Sequence, residues 1–242
     1  DRYHLYRQDG EHTELLMSSP PIERADPAMI NDRIRVIRDM EGDWQLQLAI
    51  DNDEGFTAVA SVRDTTFRHT AFFGFLCRFT RANSDKFFFD YFSIDTTSVD
   101  VVSVLPPSES KLLPDDIDTV IFYDDFSVGI QQHWQGDTAA FSVRGQRLKL
   151  VENAPSPVSV TVENSRIANT VWEAGIQVNG MLSSGNYVRL YLAMTDTSME
   201  NHTGYHLQID GTKGQHIYHI WRQRRSSRSR IFQSDPIPNR DD

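Results

Sequence analysis

Asp43-Trp44-Gln45-Leu46-Gln47-Leu48-Ala49-Ile50 puts its large apolar side chains at every second position. Successive side chains of an extended chain point to opposite faces, so this stretch reads as a strand with one face on a core. Glu41-Gly42 ahead of it marks a turn. The same alternation returns in Val188, Leu190 and Leu192, set between Tyr187, Arg189 and Tyr191. It returns again in Tyr205, Leu207 and Ile209, set between His206, Gln208 and Asp210. Turn signals such as Ser184-Gly185-Asn186 and Asp210-Gly211 separate these runs. No long stretch holds a 3.6-residue period, and the best helical candidate, Pro21 to Ile30, is short and interrupted by Pro27. The expected class is all-β, an antiparallel β-sandwich.

The chain has 242 residues and 39% hydrophobic content, enough for one sizeable core. A net charge of −10 argues against nucleic acid or anionic lipid as the partner of the whole molecule. No run of 18 apolar residues occurs, so no membrane-spanning helix is expected. Cys77 is the one cysteine; an internal disulfide is excluded, and its apolar setting reads as a buried thiol.

Tyr3-His4-Leu5-Tyr6-Arg7-Gln8 comes back as Tyr218-His219-Ile220-Trp221-Arg222-Gln223, at an offset of 215 residues (218 − 3). That is far beyond the period of about 20–50 residues of solenoids, and is the size of one large β domain. Between the copies, residues 96–119 carry Pro106-Pro107, Ser, Glu and Lys residues and Asp115-Asp116, and read as a linker, with Val99 to Leu105 a candidate edge strand. It divides a segment 1–95 from a segment 120–242.

The second segment opens Tyr123-Asp124-Asp125-Phe126-Ser127-Val128-Gly129 and continues through Trp134-Gln135-Gly136-Asp137, Trp172-Glu173 and Asn186-Tyr187-Val188-Arg189-Leu190. This order resembles the first half of a concanavalin A-like (laminin-G, jelly-roll) sandwich, as in the repeated, lamin-tail-associated modules of secreted Bacteroidota surface proteins. Residues Leu5-Tyr6-Arg7-Gln8, Gly42-Asp43-Trp44-Gln45-Leu46, Phe72 to Thr80 and Ser84 to Asp90 resemble the second half. The halves stand in permuted order. Three arrangements follow: completion of one sandwich within the chain, completion between neighbouring chains, or a window cut across a tandem array. A half-sandwich would expose an inner sheet face and strand edges, which favours completion within the chain.

The resemblance implies a structural Ca²⁺ where the opening and closing strands meet, held by Asp90, Asp124, Asp125 and Gly129; calcium takes six to eight oxygens, which carboxylates and carbonyls supply. It also implies a glycan site, for which Trp134, Asn179, Asn186 and Tyr191 are the candidates. Trp44 and Trp172 lie in alternating strands and read as core, whereas Trp134 lies in a loop-like context and reads as exposed. Arg222, Arg224, Arg225, Arg228 and Arg230 form a basic run; the first copy has Asp9, Glu11 and Glu14 in the matching stretch, so the two regions could attract each other. His4 and His219 occupy matching positions and read as structural.

Catalytic motifs are missing from the sequence: no Glu-x-Asp-x-x-Glu strand, no Gly-x-Ser-x-Gly elbow, no His-Glu-x-x-His and no phosphate loop, while Glu173 stands alone. The expected function is a non-catalytic, secreted or bacterial cell-surface module for adhesion or carbohydrate binding, with a glycan or surface protein as partner. A glycoside hydrolase of the same fold and a subunit assembling head-to-tail through half-domains are the alternatives.

Overall fold

The computed structural model describes residues 2–10, 12–22, 24, 26, 29–51, 53, 55–97, 117–197 and 202–211; at 117–118, 215–216, 219–224, 227–233 and 237–238 it describes the backbone alone. In chain order the strands are β1 (Arg2–Asp9), β2 (His12–Ser18), β3 (Met29–Arg38), β4 (Asp43–Ala49), β5 (Thr57–Arg63), β6 (Phe72–Arg78) and β7 (Phe87–Thr97). Then come β8 (Ile117–Asp124), β9 (Gln135–Gly136), β10 (Phe141–Val143), β11 (Leu148–Leu150), β12 (Val158–Glu163), β13 (Thr170–Asn179), β14 (Tyr187–Met194) and β15 (Thr203–Asp210). The last four are β16 (Gln215–His216), β17 (His219–Arg224), β18 (Ser227–Gln233) and β19 (Ile237–Pro238). Among the described residues there is no α-helix. The stretch with the strongest helical signal, Pro21 to Ile30, instead runs into β3 at Met29, where Ile30, Asp32, Ile34 and Val36 alternate inward.

Two antiparallel sheets pack face to face as a sandwich. The first, sheet I, has the order β2-β1-β15-β14-β6-β12-β9. The second, sheet II, has the order β10-β11-β7-β13-β3-β4-β5, with β8 also paired to β7. Both sheets contain strands from before residue 98 and from after residue 116, interleaved. β13 lies between β7 and β3, with Glu173 opposite Ser93 on one side and Arg35 on the other. β15 lies between β1 and β14, with Leu207 opposite Leu5 and Leu190. Thr96 and Thr97 still belong to β7 and pair with Thr119 and Ile117 of β8. The expected linker at 96–119 therefore starts and finishes in paired strand; Val99 to Leu105 lies outside the described residues.

The core explains the alternation. Trp44 and Trp172 face each other from β4 and β13, stacked at 5.7 Å between centroids, and Tyr205 reaches across from sheet I to within 4.7 Å of Trp44. Phe75 of β6 stacks on Phe92 of β7 at 4.8 Å, with Phe141 edge-on at 5.5 Å. Burying one such ring or a leucine stabilises the fold by about 1.5–3 kcal/mol. Cys77 is buried here, where desolvation pushes its thiol pKa up and leaves it inert.

Two carboxylates that enter this core, Asp32 and Asp64, arrive paired. Asp32 points inward from β3, and Arg24 donates to it (Nη1 to Oδ1, 2.6 Å), as does the Tyr3 hydroxyl. Asp64 accepts from Tyr205 Oη at 2.7 Å, from the Thr66 N–H at 2.9 Å and from Arg7. A buried carboxylate left without such donors would cost several kcal/mol. Gly42, at φ +86°, makes the β3–β4 turn where a β-carbon would strike the Asp64 carbonyl at 2.9 Å.

Candidate functional site

The outward face of sheet II carries a polar row across five strands. Gln47 lies opposite Arg35, Arg35 opposite Glu173, Glu173 opposite Ser93, and Ser93 opposite Tyr123. The row follows from register alone: each residue stands at the alternate position to a core residue, beside Leu46 or Leu48, Ile34 or Val36, Trp172 or Ala174, Phe92 or Ile94, and Phe122.

Glu173 is the hub. Arg35 reaches its Oε2 from Nε at 2.9 Å and from Nη2 at 2.8 Å, two charge-assisted contacts on one oxygen. The Tyr91 hydroxyl donates to its other oxygen. Burial, and then the Glu173 charge, push the Tyr91 phenol pKa far up, so it stays a donor. Gly175 lies opposite Tyr91 and leaves room for the ring to lie across β13. The Arg35 guanidinium in turn sits 3.8 Å above the Phe56 ring.

Asp95 is the second carboxylate of this face, on β7 opposite Val171 and so one diagonal step from Glu173. It is 4% exposed and accepts from the Ser93 hydroxyl at 2.8 Å. Burial raises its pKa against that hydrogen bond, and the Glu173 charge adds to the rise. Of the two neighbouring carboxyls, Glu173 is paired with Arg35, while burial pushes Asp95 toward its protonated form. At the rim, Tyr123 is 55% exposed and its ring stacks near Tyr91 at 6.4 Å and 29°.

The residues singled out as a glycan site do not converge. Trp134 is 5% exposed and packs among Phe75, Phe92 and Phe122, so the expectation of an exposed ring is corrected. The aromatic core supplies the reason, together with the buried Asp124, which accepts its indole N–H at 2.8 Å. Asn179 and Asn186 lie at one end of the sandwich; Asn179 accepts from Gln177 at 2.8 Å, and Asn186 accepts the Thr80 N–H at 2.8 Å. Tyr191 stands on the outward face of sheet I, in a separate cluster with Leu76, Tyr187 and Met194. There it neighbours His206, which is 1% exposed and stacked on Tyr6 at 5.0 Å.

The calcium residues meet in part. β8 does pair with β7, with Phe92 opposite Asp124. The Asp124 carboxylate, however, turns inward and accepts from the Phe126 N–H at 2.8 Å as well as from Trp134, with His133 Nε2 3.3 Å away. Asp90 turns outward to Arg147 at 2.7 Å. Asp125 is half-buried and accepts the Ser127 N–H, and Gly129 closes the turn to the Phe126 carbonyl. With both Asp124 oxygens on protein donors and Asp90 on a guanidinium, this set does not fit a calcium ion. Among the described residues no three His, Cys, Asp or Glu side chains converge as metal ligands. Of the basic run, Arg225 and the side chains of Arg222, Arg224, Arg228 and Arg230 lie outside the described residues.

Sequence reasoning saw Glu173 as solitary and passed over Arg35, Tyr91 and Asp95. The signal that could have found them is the outward parity of two aromatic–acid strands, Trp172-Glu173 and Tyr91-Phe92-Ser93-Ile94-Asp95, which share one face once paired. Among the described residues no helix is long and apolar enough to cross a membrane. No protein-family model matches the chain, and no curated protein matches it.

Proposed function

We propose that the chain is a non-catalytic, extracellular jelly-roll module of the concanavalin A-like type that binds carbohydrate at a bacterial cell surface, through the outward face of sheet II. The observation that carries the reading is the exposed Tyr123 ring beside Tyr91, next to a fixed Arg35–Glu173 pair. A sugar offers an apolar C–H face and a rim of hydroxyls. A tyrosine ring suits the first, and a guanidinium and carboxylate held in place suit the second, at little ordering cost. The test is a polysaccharide panel titrated against the wild-type chain and against Tyr123→Ala and Arg35→Ala. Binding lost in both variants, with unchanged circular dichroism, supports the reading. Binding that survives both would move the site elsewhere, and no binding by the wild-type chain would remove the function.

A hydrolytic reading is favoured by one observation, the Glu173 and Asp95 carboxyls one diagonal step apart on adjacent strands, with burial raising the Asp95 pKa. Reducing-sugar release from the same panel, abolished by Glu173→Gln and by Asp95→Asn, would replace binding by catalysis.

A further inference from the structure

The hairpin β1–β2 and the hairpin β17–β18 are two copies of one element, register included. In the first, His4 lies opposite Ser18, Leu5 opposite Met17, Tyr6 opposite Leu15, Arg7 opposite Glu14 and Asp9 opposite His12. In the second, His219 lies opposite Gln233, Ile220 opposite Phe232, Trp221 opposite Arg230, Arg222 opposite Ser229 and Arg224 opposite Ser227. Every pair is displaced by the same 215 residues (219 − 4), and the bulge falls at Leu5/Tyr6 in one and at Ile220/Trp221 in the other. The match runs on into Ser19, Pro21 and Ile22 against Ser234, Pro236 and Ile237. Only the first copy is paired into sheet I, against β15; β17 pairs with β18 and runs close to β2.

We propose that the β15 edge is a strand-binding site with two occupants in the same chain, and that residues 218–233 take the place of β1–β2 in a second state of the molecule. The requirements of the site are legible from its present occupant. Tyr3 is fully buried and bonds Asp32; the copy has Tyr218. His4 faces Asp210 at 3.4 Å; the copy has His219. Leu5 fills the core, and Ile220 keeps its volume. Tyr6 stacks on His206, and Trp221 offers a larger ring. Arg7 binds Asp64, and Arg222 repeats the guanidinium.

Connectivity favours the same chain. Residues 211–217 are all that separate β15 from Tyr218, and the neighbouring strand position is about 4.8 Å away. Such a connection is a local hairpin with a high effective concentration. Two details keep the first copy ahead. Gly10 turns its hairpin at φ +55°, where the copy has Arg225, and Glu14 pairs with Arg7, where the copy has Ser229. When the second copy is seated, Tyr3, Leu5 and Met17 lose their cover.

The test is a competition for one thiol. Gln208 lies opposite His4 on the outward face of sheet I, at a cross-strand distance that a disulfide spans. The full-length variant His4→Cys/Gln208→Cys/His219→Cys is equilibrated in a glutathione buffer, digested and mapped by mass spectrometry. Both 4–208 and 208–219 links are expected within single chains, with 4–208 in excess. Adding Leu5→Ala should raise the 208–219 share several-fold, and Leu5→Asp should make it the major product. Moving the third thiol to the core-facing parity, with Ile220→Cys for His219→Cys, should lower the yield at least several-fold. A 4–208 link alone, even with Leu5→Ala, would overturn the proposal. So would equal yields for positions 219 and 220, or 208–219 links found only between chains.

Discussion

Tyr91 lies across β13 at Gly175, and a β-carbon on that glycine would stand 2.9 Å from the Tyr91 ring and 3.0 Å from the Asp90 side chain. Both neighbours come from β7, so neither strand can yield without disturbing the ladder. Gly175→Ala should displace the ring and break its hydrogen bond to Glu173. A destabilisation of about 1–3 kcal/mol in urea is expected. A midpoint equal to wild type would mean that the ring is free to move.

Tyr123 contributes little to the fold because it is 55% exposed. Tyr123→Ala should leave the urea midpoint within about 0.5 kcal/mol of wild type. Carbohydrate affinity should fall about tenfold, the loss of one stacking surface of roughly 1.4 kcal/mol. A parallel loss of stability and affinity would make the ring structural.

His206 ties stability to pH. Burial first, then the Arg189 and His202 charges, hold its pKa well below 6.5. In the unfolded chain the imidazole takes a proton near pH 6.5, and in the folded chain it does not. Stability present above about pH 6.5 is therefore lost as pH falls, by up to about 1.4 kcal/mol per pH unit for this one group. Urea midpoints at successive pH values from neutral to mildly acidic should show that slope in wild type and a flatter one in His206→Phe. Identical slopes would assign the effect to other groups.

Asp124 and Trp134 act as a pair, joined by the 2.8 Å indole bond inside the core. Asp124→Asn and Trp134→Phe should each destabilise, by about 1–3 kcal/mol for the unmatched donor or acceptor. The double variant should cost less than the two together, with a coupling of about 0.5–3 kcal/mol. Strict additivity would mean that the bond contributes nothing.

Local pattern was enough for the strands. The alternation in Trp44-Gln45-Leu46-Gln47-Leu48 and in Tyr205 to Ile209 is that of β4 and β15, and the burial of Trp44, Trp172 and Cys77 follows from it. Pairing between distant strands was less legible, because the period of two gives a residue's face and not its neighbour. Glu173 and Ser93 lie opposite each other from far apart in the chain, so Asp95, Tyr91 and Arg35 came to Glu173 only through register. Trp134 misled for a different reason. His133-Trp134-Gln135-Gly136-Asp137 has loop composition, but the ring folds under its own turn into an aromatic core that local sequence does not display. Tyr191 had the right parity for a surface residue, yet its neighbours on that face, His206, Leu76 and Met194, bury it.

The interleaving of strands from both sides of residues 98–116 is tested most directly by cutting the chain between them. A specific protease site placed in 98–116 and cleaved in the folded protein should leave two fragments that elute together as a one-to-one pair. The pair should separate only in the same urea transition that unfolds the intact chain, because β13 cannot leave β7 and β3 without opening sheet II. Fragments that separate in native buffer, each keeping its own β structure, would mean that the two segments do not share one sandwich.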